Sequence, residues 1–151
     1  MTESTYAAFV SRSIKDYAED HIRDGLWSSA TALEESAKEF AKLLPEGIKT
    51  PDHYLFTVVD EGTQRPVGMV WYMVRPGPQG KTGFIYDIHM DKDARGQGYG
   101  TQTLNTLEQD AKSRGVTSLS LHVFGHNEGA FRLYQRTGYR MTHIMMAKDI
   151  R

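Results

Sequence analysis

Three glycines at alternate positions, Gly96, Gly98 and Gly100, follow the strand-like run FIYDIHM (84–90) and directly precede a helical pattern. Glycine has no Cβ, so the chain there can adopt positive φ and a ligand can approach the bare backbone. Free N–H groups at a helix start, with the helix dipole behind them, favour a bound anion. A strand, a glycine turn and a helix in this order must share one sheet-to-helix junction. A phosphate-bearing ligand is expected on RGQGYGT (95–101).

The remaining pattern supplies the rest of the layers. Phe9, Ile14, Tyr17, Ala18 and Ile22 recur at helical spacing over 5–24, with Gly25 as a stop. A second helix is predicted over Ala30–Leu44, closed by Pro45 and Gly47. HYLFTVVD (53–60) and PVGMVWYMV (66–74) read as a hairpin, and RPGPQGKTG (75–83) reads as a loop. Leu104, Leu107 and Ala111 suit one face of a helix over Thr101–Arg114, with Gly115 just past its end. VTSLSLHVF (116–124) alternates as a strand; Asn127 then caps a short helix, Ala130–Gln135, stopped by Gly138. A last strand is predicted over Tyr139–Lys148. The fold class is α/β (α+β): one mixed, mostly antiparallel sheet flanked by helices, as a single domain over 1–151.

Composition narrows the function classes. A formal net charge of −1 with 25% charged residues offers no basic stripe, so nucleic acid is not an expected partner. The absence of cysteine rules out disulfides, thiolate metal sites and a cysteine nucleophile. The longest apolar run, MVWYMV (69–74), is too short to span a bilayer, and MTESTYAAFV does not read as a secretory leader. A cytoplasmic protein without membrane contact is expected. His122 and His126 stand four apart across a strand end, which is coincidental for a metal, and no metal is expected.

Two familiar phosphate loops do not fit. The dinucleotide fingerprint needs G-x-G-x-x-G in a βαβ unit, and here the spacing is G-x-G-x-G with Thr101 following. No G-x-x-x-x-G-K-[ST] string occurs. Instead, DIHMDKDARGQGYGTQTL (87–104) followed by LSLHVFGHNEGAFRLYQRTGY (119–139) resembles the GNAT family of N-acetyltransferases. Arg95, Gly98 and Gly100 match that family's phosphate loop; Asn127, Ala130, Tyr134, Gly138 and Tyr139 match its second signature in order.

The resemblance implies a GNAT fold that binds acetyl-CoA and transfers its acetyl group to a primary amine on a small molecule or peptide. The pyrophosphate falls to Arg95, Gly96, Gln97, Gly98, Tyr99, Gly100 and Thr101, and the pantetheine arm to the backbone of Ile88 and Met90. Asn127, Ala130 and Tyr134 complete the cofactor side. Tyr134 takes the general-acid role toward the departing thiolate, and the Met90 N–H is an oxyanion donor. Many family members place a Glu or His base where this chain has Phe84. The base is therefore open among His122, Asp87 and a water held by Tyr86. Trp27 and Tyr86 are candidates for the acceptor side. The family often begins with a strand before its first helix, and MTEST leaves little room for one. Monomer and homodimer are both compatible. The missing carboxylate at 84 keeps open a non-enzymatic acyl-CoA-binding domain.

Overall fold

A computed structural model describes residues 1–150. The helices are α1 (Glu3–Arg23), α2 (Ala32–Leu43), α3 (Tyr99–Ser113) and α4 (Glu128–Arg136). The strands are β1 (His53–Val59), β2 (Pro66–Gly77), β3 (Gly80–Met90) and β4 (Val116–Leu121), in spatial order β1-β2-β3-β4. β1, β2 and β3 pair antiparallel, and β4 runs parallel to β3 after the α3 crossover, giving the mixed sheet that the pattern predicts.

The period of two along β2 divides the core. Met69 and Trp71 face α1 and α2, where they meet Phe9, Phe40, Leu44 and Leu55. Val70, Tyr72 and Val74 face α3, where they meet Ile85, Leu104, Leu107, Ala111 and Val116. Tyr72 is wholly buried and its hydroxyl donates to Asp110, which also receives Arg114 Nε at 2.9 Å. A buried phenol needs such a partner, since an unmet donor in the core costs about 1–3 kcal/mol. Burial and this bond to a carboxylate push the Tyr72 phenol well above its ordinary pKa.

Four expectations change. The stretch 75–83 is not an open loop: β2 runs to Gly77, β3 starts at Gly80, and Gly77 pairs with Gly80 across a two-residue turn. Glycine at both flanks, with Gly80 at φ +118°, permits so tight a reversal despite Pro76 and Pro78. β4 ends at Leu121, so His122–Phe124 lie beyond the sheet. Ile22, in the last turn of α1, is exposed rather than packed. Residues 140–150 form no strand; they carry no regular secondary structure and are exposed. No strand precedes α1 among the described residues; Thr2 caps the helix directly, in a reciprocal box with Thr5.

Candidate active site

The site begins where β3 and β4 part. Their pairing runs from Lys81–Val116 only to Ile85–Leu121, whereas β3 continues to Met90 against β2. Residues 86–90 therefore present an open strand edge to the gap. A bulge lies at the same point: Trp71 pairs with Asp87 but Tyr72 with Ile85, leaving Tyr86 as the extra residue. Ile85 and Ile88 pack on the α3 side, while Tyr86 and Asp87, consecutive in sequence, both meet the α1 side. The bulge thus places a phenol and a carboxylate together on one wall.

The gap opens into a cleft of about 700 Å³. Tyr86, Asp87, Ile88, Arg95, His122, Asn127, Ala130 and Tyr134 all line it, so half of the predicted site converges from β3, the β4–α4 segment and α4, while Met90 and Gly96–Thr101 are not among the lining residues. Trp27 stands one layer behind, stacked on His21 at 4.0 Å and edge-on to the lining residue Tyr17.

The glycine segment reaches the cleft through Arg95. Gly96 and Gly98 have φ +74° and +84°, and a Cβ on either would meet almost nothing, Gln102 Nε2 at 3.9 Å from Gly98 being the nearest atom. The space a side chain would fill is open at both. Gly98 is the N-cap of α3 and supplies no side-chain cap, so the first-turn N–H groups of Tyr99, Gly100 and Thr101 point out of the helix end. Gly100 serves packing instead: its would-be Cβ lies 3.0 Å from Leu133 Cδ2 on α4. The loop's side chains tie it to its surroundings. Arg95 Nε donates to the Met90 carbonyl at 3.1 Å, Gln97 Nε2 donates to the Asp93 carbonyl at 3.0 Å, and the Tyr99 hydroxyl donates to Asp60. Only Arg95 of these three also lines the cleft.

Charge in the cleft is set by burial. Tyr134 has its pKa pushed up to about 12, first by burial and then by the negative charge of Asp87, so it is a phenol at neutral pH. Its ring packs edge-on against Tyr139 at 5.8 Å. Asp87 accepts from Ser13 Oγ at 3.1 Å and faces Arg12 Nη2 at 3.8 Å. Burial raises its pKa, and the Arg12 guanidinium and the Ser13 bond only partly oppose this. His122 is exposed, lies edge-on to Phe124 at 5.1 Å and makes no hydrogen bond to another described residue. Asn127 Oδ1 accepts from Ala130 N at 3.2 Å, capping α4 and fixing the turn that aims Tyr134.

Several lining residues escape a reading of the sequence. Arg12, Ser13 and Asp16 come from α1. Ser13 did carry a signal, being a polar residue spaced i, i+4 between Phe9 and Tyr17 on the apolar stripe. His89 also lines the cleft, with its pKa lowered by burial and by the cations Arg12 and Arg95, so its imidazole is neutral at pH 7. Among the described residues, no group of three or more His, Asp or Glu is placed to hold a metal ion.

Comparison with known proteins agrees with this geometry. The family model "Acetyltransferase (GNAT) family" matches residues 16–139. The N-acetyltransferases YycN and YdgE of Bacillus subtilis are each 35% identical over 99% of this chain, covering 96% and 95% of the relatives. The mycothiol acetyltransferase of Rhodococcus jostii is 28% identical over 84% of this chain and 40% of its own length. The crystal structure of YycN superposes with a TM-score of 0.94 at 36% identity, covering 99% of this chain and 95% of that one. Strand splay, uncapped helix start and sequence agreement lead to one conclusion: the chain is an acyltransferase belonging to the GNAT family.

Proposed function

We propose that this chain, acting as one domain, transfers the acetyl group of acetyl-CoA to a primary amine by direct attack, with Tyr134 as general acid. The carrying observation is convergence: the open edge of β3, Arg95 at the head of the glycine segment and a protonated Tyr134 share one cleft, and the uncapped start of α3 follows Arg95 by three residues. The fit to acetyl-CoA rests on the chain's own atoms. The N–H groups of 96–101 suit a diphosphate, because Gly96 and Gly98 leave their space open and the dipole of α3 adds positive charge. Arg95 stands beside them in the cleft. The free edge of Ile88 and Met90 suits an amide-bearing arm that pairs as a strand would.

Acetyl-CoA supplies an acetyl group activated as a thioester. The chain supplies the rest. The Met90 N–H donates to the oxygen that gains charge during attack. Tyr134 gives its phenolic proton to the departing thiolate; its high pKa keeps that proton available. The acceptor enters between α1, α2 and Tyr86, where Asp87 orients its amine and His122, unengaged by the protein, accepts the proton directly or through water.

Thiol release tests the reading, using acetyl-CoA with polyamines, aminoglycosides and peptides as acceptors. Amine-dependent release that Tyr134→Phe suppresses is the expected result. Tight coenzyme A binding without release for any amine would replace transfer with mere cofactor capture.

A further inference from the structure

The segment after α4 behaves as a strand without a sheet. Residues 140–150 are exposed throughout, yet they hold five of the ten exposed large hydrophobic side chains among the described residues: Met141, Ile144, Met145, Met146 and Ile150. Met145 is 92% exposed and Met146 88%. Single exposed apolar residues need no explanation, but a contiguous run of them marks a contact surface. The run is apolar on both faces, as suits a strand covered on both sides. Among the described residues, none covers the side chains of Met141 and Ile144–Met146.

The same chain carries the complementary surface. β4 is an edge strand, paired with β3 on one side only, and from Ser118 to Leu121 it keeps a continuous register. Its outer backbone groups are unpaired, and it has neither proline nor lysine to blunt the edge. The other edge, β1, is broken by a bulge at Val58/Val59 and lies three strands away. Leu133, Tyr134 and Tyr139 pack against the same α3-side core as Leu119 and Leu121, so the tail leaves the fold on that side of the sheet.

We propose that residues 140–148 exchange between two copies of this chain, each adding to the β4 edge of the other as a fifth strand. Because each copy carries both the donor segment and the acceptor edge, one two-fold axis satisfies both exchanges in a single self-complementary interface that leaves no sticky end. The exchange also reaches the cleft. Tyr139, where the tail begins, packs on Tyr134, so the partner's grip on the tail holds the helix that carries the proposed acid.

Sedimentation of the full chain is expected to give twice its 17.1 kDa mass. The doubly charged variant Ile144→Asp/Met146→Asp should keep the helical circular dichroism, because both side chains are exposed, and should sediment as a monomer with dimerisation weakened at least about 100-fold. The chain has no cysteine, which gives a clean background for oxidative linking. Single variants Ile144→Cys and Met145→Cys, each mixed with Ser120→Cys, should yield a linked heterodimer for the one whose side chain shares a face with position 120. A monomeric wild type overturns the proposal, as does a dimer that survives the charged tail. Linking to Val59→Cys in place of Ser120→Cys overturns it equally.

Discussion

Ser13 Oγ donates to Asp87 Oδ2 at 3.1 Å, tying α1 to the stretch of β3 that borders the cleft. The bond links residues 74 positions apart, and Arg12 Nη2 lies 3.8 Å from the same carboxylate oxygen. Asp87 keeps a side-chain exposure of 28%, so solvent screens part of the interaction. Ser13→Ala is expected to cost about 1–2 kcal/mol, the lower part of the range for a hydrogen bond to a charged group. Urea unfolding at neutral pH measures it. A cost indistinguishable from zero would show that Arg12 and water suffice for Asp87.

The same carboxylate has a pH signature. Its folded pKa is raised, with burial as the leading cause, so the native state holds the proton more tightly than the unfolded chain does. That contribution to stability is complete below the unfolded pKa of roughly 3.9 and is lost as pH rises through the folded value. The stability of the wild type relative to Asp87→Asn should therefore fall over that window. Unfolding curves for both proteins at a series of pH values give the difference directly. A rising difference would mean that Arg12 and Ser13 outweigh burial.

Gly98 separates strain from ligand contact. At φ +84° any side chain is disfavoured by roughly 1–2 kcal/mol, yet the site itself is open, with Gln102 Nε2 at 3.9 Å as the nearest atom. Gly98→Ala should thus fold with modest loss. Gly98→Val, whose branched Cβ enters the space assigned to the diphosphate, should weaken coenzyme A binding at least about 10-fold by calorimetry. Unchanged affinity in folded Gly98→Val would remove the loop from the cofactor site.

How much of this could be read from the chain depends on how local each feature is. The glycine segment, the Asn127 cap and the four helices follow from signals within a few residues, and all appear within a turn or so of their predicted bounds. The splay of β3 from β4 could not be read, because the bulge at Tyr86 exists only in the register with Trp71 and Tyr72. Arg12 and Ser13 enter the cleft through the packing of α1 on the sheet, a long-range event that helical spacing only hints at. The hairpin at 77–80 was masked by its prolines. The tail shows the opposite error: its strand propensity is real, but no edge of its own fold receives it.

Tyr134→Phe keeps the ring that packs on Tyr139 and removes only the hydroxyl. If the phenol protonates the departing thiolate, kcat should fall by about 10²–10⁴ while the KM for acetyl-CoA stays nearly constant. Because burial and Asp87 push its pKa up to about 12, the wild-type rate should show no alkaline decline near the ordinary phenol value of 10.0. A decline there in wild type that Tyr134→Phe abolishes would place the phenol in a more solvated setting than the cleft provides.

His122 differs from Asp87 in having no bond to break. It is exposed on the cleft wall, touches Phe124 edge-on and is engaged by no described donor or acceptor, so its loss should leave the fold intact. An acceptor amine of ordinary pKa, about 10.4, is almost wholly protonated at neutral pH, and a base there is worth about 10²–10⁴ in rate. His122→Ala should therefore show its largest deficit near neutrality, and the deficit should shrink as pH rises and free amine accumulates unaided. Initial rates of thiol release at a series of pH values, with a fixed amine and saturating acetyl-CoA, measure it. A deficit of equal size at every pH would assign His122 to substrate positioning and leave proton removal to a water beside Tyr86 or to Asp87, which shares the α1-facing wall.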